Sequence, residues 1–108
     1  MSGEEANTIL VVDDERSMRE FLDILLTKEG YDVSVASSGD EARQLLETEG
    51  FDLVITDIRM KGIDGIHVLK KAKEISPQCL VIMISAFATA ETAVEAMKEG
   101  AYDYIPKP

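Results

Sequence analysis

Apolar residues in this chain fall into five short runs, separated by longer stretches in which they recur every three or four positions. The runs are residues 9–12, 33–36, 53–56, 80–84 and 102–105, each rich in β-branched or aromatic side chains, as strands require. The first, third and fourth are almost continuously apolar, which predicts central parallel strands covered on both faces. The second and fifth carry polar residues and suit the edges. Helical spacing links Met18, Phe21, Leu22 and Leu25, and again Val68, Leu69, Ala72 and Ile75. A second helix is predicted to open on a capping box, with Ser38 and Glu41 as its ends, and to bury Ala42, Leu45 and Leu46. A fourth helix is expected to begin at Thr89, as its cap, and to bury Ala93, Val94 and Met97.

A small pattern recurs at Glu29-Gly30-Tyr31-Asp32, Glu49-Gly50-Phe51-Asp52 and Glu99-Gly100-Ala101. Each ends a helix and opens a strand, and glycine can close a helix in the left-handed conformation while the next apolar residue packs back. Pro77 stops the third helix instead. Strand and helix therefore alternate four times before a fifth strand. That order predicts an α/β fold, a doubly wound parallel sheet with helices on both faces. The flavodoxin-like strand order 2-1-3-4-5 puts the two polar strands at the edges. It also makes the first and third strands neighbours at the switch point, where ligands bind.

The 108 residues suffice for one domain with a real core. Residues 1–7 are polar and acidic and read as a flexible N-terminal segment, with the domain over 8–108. Neither a signal peptide nor an apolar run of membrane-spanning length is visible, so the expectation is a cytoplasmic protein that does not meet a membrane. The lone Cys79 lies in an apolar run and reads as packing. A net charge of −10 excludes direct nucleic-acid binding by this domain, and suits one that holds a cation or meets a basic partner.

Charge acquires meaning at the strand ends. Asp13 and Asp14 follow the first strand at once, and Asp57 follows the third. If those strands are neighbours, three carboxylates converge. Two such charges ~4 Å apart repel by about 1 kcal/mol in water and by more in a drier cleft. A hard divalent cation such as Mg²⁺ turns that repulsion into binding, taking one or two carboxylates and completing its shell with water and phosphate oxygens. Either aspartate alone has a plainer explanation: Asp14 could cap the first helix and Asp57 could begin a turn. Strand-end convergence favours the metal. Ser85 ends the fourth strand with a hydroxyl and Lys107 follows the fifth with a positive charge. Each alone reads as a buried hydroxyl or a solvated lysine; together they can satisfy phosphoryl oxygens beside a metal.

These residues give the chain its resemblance to the receiver domains of two-component response regulators. The matching stretches are Val11-Val12-Asp13-Asp14-Glu15, Ile55-Thr56-Asp57-Ile58-Arg59-Met60, Gly62-Ile63-Asp64-Gly65, Ile84-Ser85-Ala86 and Lys107-Pro108. From Ala88 onward the chain looks most like the nitrogen-regulator, enhancer-binding branch. The resemblance implies that Asp57 accepts a phosphoryl group from a sensor histidine kinase, and that Asp13, Asp14, Asp57 and the backbone carbonyl of Arg59 hold Mg²⁺. It further implies that Lys107 contacts the phosphoryl group, that the Lys107–Pro108 bond is cis, and that Ser85 and Tyr104 form a switch pair. Tyr104 also reads as an edge-strand aromatic covering the core. The fourth helix and fifth strand would then carry the signal to an output domain of the same polypeptide, with homodimerisation through that surface. Phosphoryl lifetime would depend on neighbours such as Arg59 and Phe87. Such a domain is not an enzyme beyond its own phosphorylation and dephosphorylation.

Two departures stand out. Lys61 sits where the family commonly has proline, and the family's last helix is missing after Pro108, which implies a truncated fragment with an exposed apolar patch. Two rival readings differ in class. A Mg²⁺-dependent phosphohydrolase of the haloacid dehalogenase type would carry its nucleophile on the first strand with a second aspartate two residues on, and the spacing here is different. A pseudo-receiver acting only as a binding module would not need Asp13, Asp14, Asp57, Ser85 and Lys107 together. His67 reads as a solvated helix residue and the methionines as core filler.

Overall fold

A computed structural model of the chain describes residues 7–60, 62, 64–86 and 89–107. The expectations for residues 1–6, Lys61, Phe87 and the Lys107–Pro108 bond lie outside the described residues. Five strands, β1 (Thr8–Val12), β2 (Asp32–Ala36), β3 (Leu53–Asp57), β4 (Leu80–Ser85) and β5 (Asp103–Pro106), form one parallel sheet in the order β2-β1-β3-β4-β5. Helices α1 (Arg16–Lys28), α2 (Gly39–Thr48), α3 (Gly65–Ile75) and α4 (Ala90–Lys98) connect them. Among the described residues no helix follows β5.

Alternation along the strands sorts their side chains to two faces. Leu10, Val12, Val54, Val81 and Met83 pack with Ala42 and Leu46 of α2, with Ile66, Val68, Leu69 and Ala72 of α3, and with Ala96 of α4. Ile9, Val11, Ile55 and Ile84 face the other way and meet Met18, Leu22 and Leu26 of α1. The central strands are buried on both sides, which is why they read as unbroken apolar runs. Cys79 is buried, as its apolar setting suggests.

Helix faces are where the sequence reading needs correction. In α1 the seam against the sheet is Met18-Leu22-Leu26, whereas Phe21 is 58% exposed and Leu25 also faces outward. In α4 the buried residue is Ala96, while Val94 and Met97 are exposed. Alanine lets that helix approach the sheet closely, and the larger residues are turned away. Thr89 caps α4 as expected, in a reciprocal box with Thr92. At α2, Ser38 accepts from Glu41 N at 3.1 Å, but Glu41 Oε1 accepts from Ser37 N rather than from the cap residue itself. Gly30 and Gly100 close their helices at φ 97° and 102°, where a side chain would be strained. Gly50 is not among the positive-φ glycines; the C-cap residue of α2, Glu49, is already extended.

Candidate functional site

Parallel register places the site. Val12 pairs with Thr56, so Asp13 and Asp57 are the next residues on adjacent strands. Asp57 pairs with Ile84, one short of Ser85, and Ser85 pairs with Pro106, one short of Lys107. Asp13, Asp57, Ser85 and Lys107 therefore step across one carboxyl-terminal edge. Backbone bonds fix the staircase: Asp13 N donates to Ala36 O at 3.1 Å, Ile58 N to Ile84 O at 3.1 Å, and Lys107 N to Ser85 O at 2.8 Å.

Asp13 is fully buried, Asp57 and Ser85 nearly so, and Asp14 is exposed. A carboxylate oxygen from each of Asp13, Asp14 and Asp57 lies within 4.8 Å of the others. Asp14 does not cap α1: the N-cap is Glu15, whose side chain makes no cap bond. Asp57 Oδ1 accepts from Arg59 N at 3.3 Å and Asp13 Oδ1 from Glu15 N at 2.9 Å. The second oxygens face Lys107, whose Nζ donates to Asp57 Oδ2 at 3.1 Å and pairs with Asp13 Oδ2 at 2.8 Å. The latter contact is an ion pair outside hydrogen-bonding geometry, and Asp13 Oδ2 has no hydrogen-bond partner. A buried carboxylate oxygen that accepts no hydrogen bond, beside two more hard oxygen donors, fits a divalent cation of the Mg²⁺ type.

Electrostatics agree with that fit. Burial pushes the Asp57 carboxyl above the ordinary 3.8, and nearby Asp13 adds to the rise, against the lowering effect of Lys107. The Lys107 ammonium is pushed up instead, because its own burial is outweighed by the carboxylates of Asp13, Glu15 and Asp57 around it. The two shifts have different leading causes, burial for the anion and surrounding carboxylates for the cation. Three carboxylates surround one ammonium, so the cation is favoured and the buried anion is not.

Four residues that the sequence reading left without a role shape this edge. Glu15 Oε1 lies 2.7 Å from Lys107 Nζ. Arg19 Nη1 donates to the Asp13 carbonyl at 2.8 Å; a basic residue near the positive end of a helix is the signal that could have marked it. Gly65 N donates to Ile58 O at 2.8 Å, and a Cβ on Gly65 would lie 2.0 Å from the Asp57 carbonyl oxygen. Only glycine allows α3 to start so near β3. Thr92 Oγ1 lies 2.8 Å from the Tyr104 hydroxyl and ties it to the first turn of α4. Its spacing from Thr89 was the available sign. His67 is exposed and pairs with Asp64, away from the aspartate cluster.

Comparison with known proteins agrees with this geometry. The family model for the response regulator receiver domain matches residues 9–108. The transcriptional regulatory protein ZraR of Klebsiella oxytoca is 45% identical over 108 residues, covering 100% of this chain and 24% of its own length. The DNA-binding transcriptional regulator NtrC of Klebsiella pneumoniae is 40% identical over 98 residues, 91% of this chain and 21% of that protein. The chain thus spans about a quarter of the length of these relatives. A CheY-like receiver domain protein from Methanospirillum hungatei superposes with a TM-score of 0.93 at 33% identity, over 96% of this chain and 83% of that one. A Burkholderia pseudomallei response regulator, crystallised with a phosphorylated aspartic acid, a calcium ion and citrate, has a TM-score of 0.90 at 29% identity, covering 94% and 60%. Strand order, site and sequence converge, and the chain belongs to the response regulator receiver domain family, on its NtrC-like branch.

Proposed function

We propose that this domain takes a phosphoryl group on Asp57 from a sensor histidine kinase, with Mg²⁺ bound beside it, and relays the event through α4 and β5. The observation that carries this reading is the meeting of Asp13, Asp14, Asp57 and Lys107 at one sheet edge, with Asp13 Oδ2 lacking a hydrogen-bond partner. Mg²⁺ would be held by Asp13 (directly or through water), Asp14, Asp57 and the Arg59 carbonyl, and supplies positive charge for the phosphoryl oxygens.

The protein's own groups do the rest. An Asp57 oxygen attacks the phosphorus of phosphohistidine in line. The P–N bond breaks, its electron pair returns to the imidazole, and Asp57 becomes an acyl phosphate. Lys107 leaves Asp57 Oδ2 for a phosphoryl oxygen, and the Ser85 hydroxyl takes another. Water later attacks the phosphorus, releasing inorganic phosphate and restoring the carboxylate. The domain acts on itself and turns over no separate substrate.

Ser85 and Tyr104 form the switch. Ser85 moves toward the phosphoryl group, Tyr104 turns into the vacated space, and the Tyr104–Thr92 bond breaks. The exposed Val94, Met97, Tyr102 and Ile105 supply an apolar surface on α4 and β5 for an output domain or a second copy. The relatives' names support a transcriptional output carried elsewhere on the polypeptide, with nucleic acid left to that part. The groove between α1 and β5 supports a final helix as its cover, residues 8–108 being the rest of the receiver. No described helix is long and apolar enough to cross a membrane; a cytoplasmic site of action belongs to this proposal.

Incubation with acetyl phosphate and Mg²⁺, followed by intact mass, should show a gain of one phosphoryl group. Asp57→Asn, or a chelator, should abolish it. A gain that persists in the Asn variant removes Asp57 from its role.

A further inference from the structure

Lys107 has three N–H donors and three carboxylate neighbours. Asp13 and Asp57 belong to the site described above. The third, Glu15, makes the shortest contact, 2.7 Å against 2.8 Å and 3.1 Å. Its backbone is anchored, since Glu15 N donates to Asp13 Oδ1 at 2.9 Å. Its carboxylate makes no cap bond to α1. The Glu15 side chain is 57% exposed, while that of Lys107 is 5% exposed. A rim carboxylate thus reaches in to hold a buried ammonium.

We propose that Glu15 is a positioning residue for Lys107, holding the ammonium toward the rim and so keeping the Asp13 and Asp57 oxygens open to a divalent cation. This rests on the Mg²⁺ reading of the same site. Oδ1 of Asp13 and Oδ1 of Asp57 already accept backbone N–H groups, and Oδ2 of each faces Lys107. Ammonium and metal therefore draw on the same two oxygens. Glu15 takes one of the three donors and offsets part of the ammonium charge. Replacing its carboxylate by an amide weakens that hold, and Lys107 settles further onto Asp13 and Asp57. The incoming metal then meets a closer positive charge and has lost a nearby negative one. Both effects lower its affinity.

Calorimetric titration of Mg²⁺ into the 108-residue chain at fixed ionic strength tests this. Glu15→Gln should raise the Mg²⁺ Kd by about three- to tenfold, the range expected of one charge at the edge of a partly dry site. In a Lys107→Met background, where only the lost charge of Glu15 remains, the same change should raise Kd by a clearly smaller factor than in the parent. An unchanged Kd in Glu15→Gln overturns the proposal. So does an effect of equal size with Lys107 absent, since Glu15 would then act only as a distant charge. Glu15→Ala, which cannot reach Lys107, serves as the second variant should the amide disturb the loop, and circular dichroism confirms that each variant folds. Asp13→Asn separates the two layers of the argument. If it abolishes binding while Glu15→Gln is silent, the role of Glu15 alone falls; if binding survives it, the metal site itself is misread and the proposal falls with it.

Discussion

Asp57, the proposed phosphoacceptor, works against its own fold. Its carboxyl is held above the usual carboxylate range by burial and by Asp13, so ionising it costs folded-state stability. A raised folded-state value contributes stability that is fully present below the unfolded value, near 3.8, and is lost as pH rises through the folded one. Asp57→Asn should therefore melt higher than the parent without Mg²⁺ at about pH 7, by about 4–8 °C if the relief is about 1 kcal/mol. The gap should narrow as pH falls toward 4. Differential scanning calorimetry at several pH values reads this, and a variant that melts lower at neutral pH contradicts it. Single residues of this kind were legible in the sequence because strand ends are countable: Asp13, Asp57, Ser85 and Lys107 each follow or close an apolar run. Glu15 was not, because its side chain crosses from one loop to a residue 92 positions away, and no local pattern encodes that reach.

Elements were legible in kind and order, and less so in the direction each helix faces. Periodicity marks an apolar sector, but the sector on α1 and α4 is wider than the part that meets the sheet. Phe21 and Leu25 on α1, and Val94 and Met97 on α4, satisfy helical spacing and still point outward. Ala96, too small to weigh in such a pattern, is the residue α4 buries. The start of α3 shows the same limit. Asp64 accepts from His67 N at 3.2 Å, a recognisable cap, yet the tight constraint sits one residue on. A Cβ at Gly65 would come within 2.0 Å of the Asp57 carbonyl oxygen and 2.8 Å of the Ile58 Cα, both backbone atoms that no rotamer change can move aside. Gly65→Ala should push α3 away from β3 and cost about 3 kcal/mol or more, seen as a lower urea midpoint. It should also reduce phosphoryl acceptance in the intact-mass assay, because the displaced backbone carries Asp57. A variant with the parent midpoint would mean the loop relaxes freely.

At the scale of the whole molecule, two opposed properties share one surface. A groove of about 470 Å³ between α1 and β5 is lined by Met18, Phe21, Leu22, Ile82, Ile84 and Ile105, the sheet face that α1 leaves open. Apolar surface of this kind favours association. The chain also carries a net charge of −10, which drives copies apart. The two respond oppositely to salt. At low ionic strength the repulsion reaches tens of ångströms, whereas at about 0.5 M it is screened within a few, while burial of the groove is not weakened. Self-association of the 108-residue chain should therefore grow as salt rises, the reverse of what ion pairing between copies would give. Sedimentation velocity from about 20 mM to 500 mM NaCl measures it, and Phe21→Ser, altering a groove residue that is already 58% exposed, should blunt the rise with little loss of stability. A monomer at every salt concentration would show that the groove is not adhesive on its own. Association strongest at low salt would assign it to charged side chains.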